Sequence, residues 1–405
     1  MYSELAILAL FIFLYSIVAG RVEKSAISGP IVFVTAGFLM GPFNLGWLQA
    51  TASSSDFRLL ADLTLALILF IDAANAELTV LKRQFRIPSR MLLLGLPGVI
   101  ALGFGVAVLM FDGLSIYEAA ILATMLAATD AALGKAVISN KAVPARVRES
   151  LNVESGLNDG LCVPILLLFI ALAVGSENSH GGNTSALMLV AQELGIGLAV
   201  GLGLAGGGAW LLKFCWQKGW ATKIWLQITI VGLAIACFAV AQSLHGSGYI
   251  AAFTGGMFFG YIVKDALHKL VLAAEGIGET LALVTWMLFG AAVIGPAIRL
   301  FNWEVVVYAL LSLTVIRVLP IYLSLAGIGE SVSSRLFLGW FGPRGLASIV
   351  FAIIVLNEGL PGGQFITLVV VCTVFFSLVA HGVTANPLAR WLGRKEAEDA
   401  SSTNG

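Results

Sequence analysis

Apolar stretches of about 17–25 residues recur from one end of the chain to the other, and no other feature restricts its folds as much. The hydrocarbon core of a bilayer holds no water, so backbone amides and carbonyls there must pair within the protein. That requirement leaves helices and closed barrels as spanning structures. As helices rising about 1.5 Å per residue, such stretches match a core roughly 30 Å thick. They begin near Glu4, Ala26, Phe57, Met91, Ser115, Val153, Ser185, Thr222, Ser247, Val271, Trp303, Ser333 and Gly363, about thirteen in all. Composition agrees: 59% of the 405 residues are hydrophobic and 11% charged, with a mean hydropathy of +0.96, against roughly 25% charged in a soluble domain. The sequence predicts an all-α polytopic membrane protein whose transmembrane domain occupies residues 1–392, followed by a short polar tail at 393–405.

Lysine and arginine test this count, because they collect in short cytoplasmic loops. Nineteen of the 23 follow odd-numbered spans: Arg21 and Lys24; Lys82, Arg83, Arg86 and Arg90; Lys135, Lys141, Arg146 and Arg148; Lys213, Lys218 and Lys223; Lys264 and Lys269; Arg335; and Arg390, Arg394 and Lys395. The other side has only Arg58 and Arg299, and Arg317 and Arg344 lie inside spans. This asymmetry places the N-terminus outside and the C-terminus in the cytoplasm of a cell bounded by this membrane, which requires an odd number of spans. The first stretch lacks a basic start and a small-residue cleavage site, so it reads as a retained span rather than a signal peptide. A net charge of zero gives no sign of nucleic-acid binding.

Two spans carry interruptions. The fifth contains Ala128-Thr129-Asp130-Ala131-Ala132-Leu133-Gly134 and the twelfth contains Gly342-Pro343-Arg344-Gly345. If the seventh span links two six-span halves, these two are equivalent members, and their odd offset gives the halves opposite orientations. The expected architecture is therefore two inverted six-helix repeats with crossed broken helices, a plan that places a transport site where the breaks meet. Freed backbone groups at membrane depth are tolerable only against protein or a wet cavity. Asp130 is expected near helix N-terminal amides and Arg344 near carbonyl ends, each offsetting a local dipole. The crossing requires no metal cluster or prosthetic group.

Between the breaks, Glu154-Ser155-Gly156-Leu157-Asn158-Asp159-Gly160 puts two carboxylates at the head of an oily run. A charge at the bilayer centre costs roughly 2.5–3.5 kcal/mol even on the lenient insertion scale, so such groups usually line an ion or proton path. On a helix Ser155 and Asp159 share a face, as do Glu154 and Asn158, while Glu154 and Asp159 point about 140° apart. Asp159 with the Ser155 hydroxyl offers hard oxygen to a small cation. Glu154 is placed to pair with a buried arginine, Arg344 being the candidate, and a purely structural role suits it equally. Asn158 has a plain reading as a hydrogen-bonding strut. A second pair, Asp72 with Arg317, is the further candidate among intramembrane charges.

Other features carry less. Gly201-Leu202-Gly203-Leu204-Ala205-Gly206 fits a dinucleotide fingerprint in letters only, since no strand precedes it and it lies mid-span. With Gly197 it reads as small-residue helix packing. Cys162, Cys215, Cys237 and Cys372 lack ligand-like spacing and are expected to pack in apolar surroundings. His180, His245, His268 and His381 are candidates for tuning a pH response or are simply satisfied polar residues. Asn183-Thr184-Ser185 is a sequon.

Thr129-Asp130 in a broken helix, then Glu154-Ser155-x-x-Asn158-Asp159, then Gly342-Pro343-Arg344-Gly345 together resemble the NhaP-type sodium/proton antiporters of the monovalent cation/proton antiporter superfamily. The resemblance covers nearly the whole membrane domain. It implies a thirteen-helix fold and a homodimer, with a dimerisation domain and a mobile six-helix core interleaved in sequence. It further implies that Asp159 binds cation or proton, that Asp130, Thr129 and Ser155 complete its site, and that Glu154 and Arg344 hold the core together; Asn158, next to Asp159, is a further candidate for the cation and proton site. Asn158 stands where electrogenic relatives have a second aspartate, which implies electroneutral exchange. Ala131 departs from the family's usual proline, restoring an amide and releasing φ.

These residues lead to a secondary antiporter, not an enzyme, that exchanges a monovalent cation for protons by alternating access and serves pH homeostasis. Sodium is the first expectation, lithium or potassium the alternatives, with no cofactor and no nucleotide. A potassium efflux system or gated cation channel of the same superfamily is the runner-up, although no filter-like loop is visible. A membrane-embedded aspartyl protease using Asp130 and Asp159 lacks the Gly-x-Gly-Asp setting such an enzyme needs.

Overall fold

A computed structural model describes residues 2–22, 28–49, 55–75, 86–177, 182–263 and 267–403; Lys24, Lys82, Arg83, Lys264 and His180 lie outside the described residues. In chain order the helices are α1 (Tyr2–Val22), α2 (Gly29–Met40), α3 (Ser55–Asn75), α4 (Arg86–Met110), α5 (Ile116–Met125), α6 (Ala131–Ile138), α7 (Ala145–Glu177) and α8 (Gly182–Gln217). They continue with α9 (Lys223–Ser243), α10 (Gly248–Val263), α11 (Leu267–Phe289), α12 (Trp303–Leu313), α13 (Val315–Ser324), α14 (Val332–Trp340), α15 (Leu346–Asn357) and α16 (Gly363–Thr403).

By length and composition, seven described helical stretches can cross a membrane: Tyr2–Val22, Arg86–Met110, Ala145–Gly175, Leu187–Gln217, Leu270–Leu300, Trp303–Ser324 and Gly363–Glu396. The other expected spans are shorter apolar helices, the two broken ones among them, or α3, which carries Asp56, Arg58, Asp62 and Asp72. Two boundaries differ from expectation. Helix α7 starts at Ala145 rather than near Val153, because the Arg146-to-Leu151 segment is polar but made of sound helix formers. Helix α16 runs through residue 393 to Thr403 for the same reason, so the polar tail continues the last helix.

The chain divides into two compact units, each assembled from separated segments: Met1–Arg58, Arg86–Ser155 and Leu283–Gly405 in one, Leu59–Phe85 and Gly156–Ala282 in the other. In the first unit, π-turns at Met91–Gly95 and Gly290–Ile294 each precede a proline, Pro97 and Pro296. Proline has no amide and its ring crowds the carbonyl four residues back, so a widened turn relieves the helix. The Tyr308 hydroxyl donates to the Gly103 carbonyl at 3.0 Å, tying α12 to α4. Helix α5 opens on a capping box: Ser115 Oγ accepts from the Glu118 amide and Glu118 Oε2 accepts from the Ser115 amide. Glu118 Oε1 also accepts from the Gly362 amide at 2.6 Å, which pins the turn before α16 to the start of α5.

In the second unit α8 packs on α10 where Gly197 and Gly201 meet the Ser247 and Ala251 carbonyls; a Cβ would stand 2.6 and 2.5 Å from those oxygens. The glycine run is thus a helix-packing seam, as small residues in membrane helices usually are. The buried Tyr249 hydroxyl donates to Asp62 Oδ1 at 2.7 Å, joining α10 to α3.

Candidate cation and proton site

The first unit brings the two breaks together. Helix α5 stops at Met125 and α6 starts at Ala131; α14 stops at Trp340 and α15 starts at Leu346. The second break follows from its letters, since Pro343 supplies no amide and glycines flank the Pro-Arg pair. The first break has no proline and is held by partners instead. The Asp130 amide donates to the Pro343 carbonyl at 2.8 Å, and Ser348 Oγ donates to the Met125 carbonyl at 2.8 Å. Ala131 in place of proline is therefore compatible with an open fifth helix.

Asp130 caps two helices at once. Its Oδ1 accepts from the Leu133 amide at 3.0 Å, in the first turn of α6, and its Oδ2 accepts from the Leu346 amide at 2.8 Å, the first residue of α15. A carboxylate between two helix N-termini answers both unpaired amides and both positive dipole ends. Arg344 does the reverse at the end of α5, where its Nη1 lies 3.3 and 3.2 Å from the Ala127 and Ala128 carbonyls. Both residues are buried. The glycines around the second break are the space these groups occupy: a Cβ on Gly345 would overlap the Asp130 carboxylate, and one on Gly342 would overlap the Arg317 guanidinium.

Glu154 corrects one expectation. Its Oε1 accepts from Arg317 Nη1 at 2.8 Å, with both side chains 1% exposed, so the partner in this ion pair is Arg317 on α13 rather than Arg344. Arg344 is directed to the α5 carbonyls. The Asp72–Arg317 pairing expected from the sequence stands as a proposal. Sequence offered only two intramembrane arginines and nothing to tell which would face Glu154. It also passed over Ser348 and Ser377, whose hydroxyls serve the two breaks.

Ser155 ends the first unit's part of α7, and its Oγ donates to Thr129 Oγ1 at 3.4 Å, so the cassette and the first break meet through two hydroxyls. Asp159 follows one turn later on the same continuous helix. Asn158 and Asp159 are buried, and Asn158 Oδ1 accepts from Cys162 Sγ at 3.3 Å. In the second unit α3 passes the cassette closely: a Cβ on Gly156 would stand 3.4 Å from the Asp72 Cβ. Asp72 is half-buried there, a third carboxylate beside the cassette's helix.

Long apolar helices, two interrupted helices meeting at their breaks, and opposite charges capping the exposed helix ends are features of a membrane transporter. Comparison with known proteins agrees. Residues 7–391 match the family described as sodium/hydrogen exchanger, transmembrane, and the chain belongs to that family of transporters. The K(+)/H(+) antiporter NhaP of Alkalimonas amylolytica is 27% identical over 388 residues, covering 94% of this chain and 65% of the relative. The K(+)/H(+) antiporter NhaP2 of Shewanella sp. (strain MR-4) is 25% identical over 376 residues, covering 89% of this chain and 62% of the relative. The chain thus spans less than two thirds of the length of these curated relatives. The structure of the sodium proton antiporter MjNhaP1 from Methanocaldococcus jannaschii shares the fold, with a TM-score of 0.77 at 19% identity over 94% of this chain and 98% of that one.

Proposed function

We propose that this chain is a monovalent cation/proton antiporter working by alternating access, in which the Asp159 carboxylate takes a proton and a cation in turn. The observation that carries this reading is a buried carboxylate one helical turn beyond Ser155, whose hydroxyl meets Thr129 in the first break. A bare carboxylate in a low-dielectric surround is costly, so proton and cation are alternative neutralising partners, and exchange follows from their competition. Ser155 and Thr129 supply neutral oxygen. Asp130, engaged by the Leu133 and Leu346 amides, balances the helix ends. Asn158 cannot titrate, which favours one-for-one, electroneutral exchange.

The wider arrangement belongs to the same proposal: thirteen spans in two inverted six-helix repeats, N-terminus outside, C-terminus cytoplasmic, acting as a homodimer. Sodium is the first choice of ion. Potassium is the second reading, favoured by the names of the curated relatives. The test uses the purified protein in proteoliposomes with an internal pH dye, challenged with sodium, lithium and potassium with and without clamped voltage. Asp159→Asn is expected to abolish cation-dependent proton flux. Wild-type flux in that variant would refute the carboxylate mechanism, and flux that changes with voltage would refute electroneutrality.

A further inference from the structure

The second break is also held by residues of α16. Ser377, His381 and Thr384 stand at spacings of four and three, so they form one stripe on that helix. Ser377 Oγ accepts from the Arg344 amide at 2.7 Å. His381 Nε2 lies 2.9 Å from the Trp340 carbonyl at the end of α14, and Nδ1 lies 3.1 Å from Ser377 Oγ and 3.0 Å from the Ser377 carbonyl. Thr384 Oγ1 accepts from the Trp340 indole at 3.0 Å, and the indole ring lies against the imidazole with centroids 5.3 Å apart. Ser377 and His381 are buried.

Each ring nitrogen faces a backbone carbonyl, and a neutral imidazole has one N–H to give, so it can answer only one of the two. A carbonyl cannot donate, so the Trp340 contact requires the proton on Nε2. In that tautomer Nδ1 accepts from the Ser377 hydroxyl, whose oxygen is at the same time the acceptor for the Arg344 amide, and the Ser377 carbonyl beside Nδ1 receives no proton from the ring. The Arg344 amide, which the interrupted helix leaves open, and the Trp340 carbonyl, which also accepts from the Gly342 amide at 2.8 Å, are thereby met by neighbouring positions on a single helix. The consequence reaches the site through Arg344, whose side chain lies on the Ala127 and Ala128 carbonyls just before Thr129 and Asp130.

We propose that His381 and Ser377 are positioning residues for cation exchange, clamping the twelfth-helix break so that Arg344 and the Leu346 amide stay in register with Thr129 and Asp130. This rests on the antiporter reading above. The role is distinct from filling space, because it depends on hydrogen-bond donors and acceptors at defined atoms. His381→Gln retains an amide N–H near the Nε2 position, His381→Leu keeps bulk without a donor, and Ser377→Ala removes the acceptor for Arg344.

The test measures apparent KM, maximal rate and thermal midpoint for the full chain in proteoliposomes, with sodium and potassium in turn. His381→Leu and Ser377→Ala are expected to raise the apparent KM of the transported ion roughly tenfold, the scale of one buried group left unanswered, and His381→Gln to restore it to within about threefold. Should His381→Leu not fold, Ser377→Ala carries the same comparison. A wild-type apparent KM in either folded variant, or equal impairment of His381→Leu and His381→Gln, overturns the proposal. A wild type with no cation-dependent proton flux is a different failure, that of the antiporter reading itself.

Discussion

Arg317→Met takes away one half of a buried ion pair and leaves the other in place. Both side chains are 1% exposed at a separation of 2.8 Å, so water cannot take over from the guanidinium. Losing one partner of such a pair costs about 3–5 kcal/mol, whereas replacing both with neutral groups of similar volume is often close to neutral. Methionine occupies much of the arginine stem, and the open face at Gly342 spares it a clash. At roughly 2.1 cal/mol/K per residue, 405 residues unfold with an entropy of about 0.85 kcal/mol/K, so a loss of ~4 kcal/mol lowers the thermal midpoint by about 5 °C. The double variant Glu154→Gln/Arg317→Met should return to within about 2 °C of the wild type. Thermal unfolding of purified protein in detergent, followed by tryptophan fluorescence at one scan rate, reads both. A single variant that melts with the wild type, or a double variant that melts no higher than the single one, would refute the assignment of this pair as the tie between α7 and α13.

The Gly345→Ala variant drives a methyl into the Asp130 carboxylate and displaces it from the Leu346 amide, so flux in proteoliposomes should fall by at least roughly tenfold. Gly203→Ala is its control: that position meets nothing within 4 Å inside α8, and alanine there should leave flux unchanged and add up to ~1 kcal/mol of stability. Equal losses in the two would contradict the overlap argument. Outside the membrane spans, burial holds the Glu330 carboxyl above its ordinary 4.5, with Glu396 adding to the rise and the Arg146 guanidinium opposing it. A carboxyl raised in the folded state binds more protons folded than unfolded, so stability falls as pH climbs from 4.5 through the raised value. Glu330→Gln should flatten that part of the midpoint-against-pH curve; an unaltered slope would contradict the sign.

Much of this architecture was legible before any coordinates. The Gly-Pro-Arg-Gly break needs no tertiary information, because proline and glycine interrupt helices through their own backbone chemistry. The first break was legible only from Thr-Asp in an oily run, and what opens it is not local: Pro343 and Ser348, each more than two hundred residues away, supply its partners. Asp130 at helix amides and Arg344 at helix carbonyls both follow from the rule that opposite charges settle at helix ends, and both stand where that rule puts them.

What the sequence determined by itself was the repeated apolar length, the two interruptions, the acidic cassette on α7 and the side of the helix on which Ser155 and Asp159 lie. Hydropathy, backbone chemistry and helical periodicity are properties of short segments, so they can be read along a single chain. The tertiary structure alone decided which buried arginine meets Glu154, which carbonyls receive Arg344, and that α16 clamps the second break. Glu154 and Arg317 are 163 residues apart, and a buried charge takes the partner that packing delivers within hydrogen-bond reach. Two arginines of identical chemistry are indistinguishable until the helices that carry them are placed.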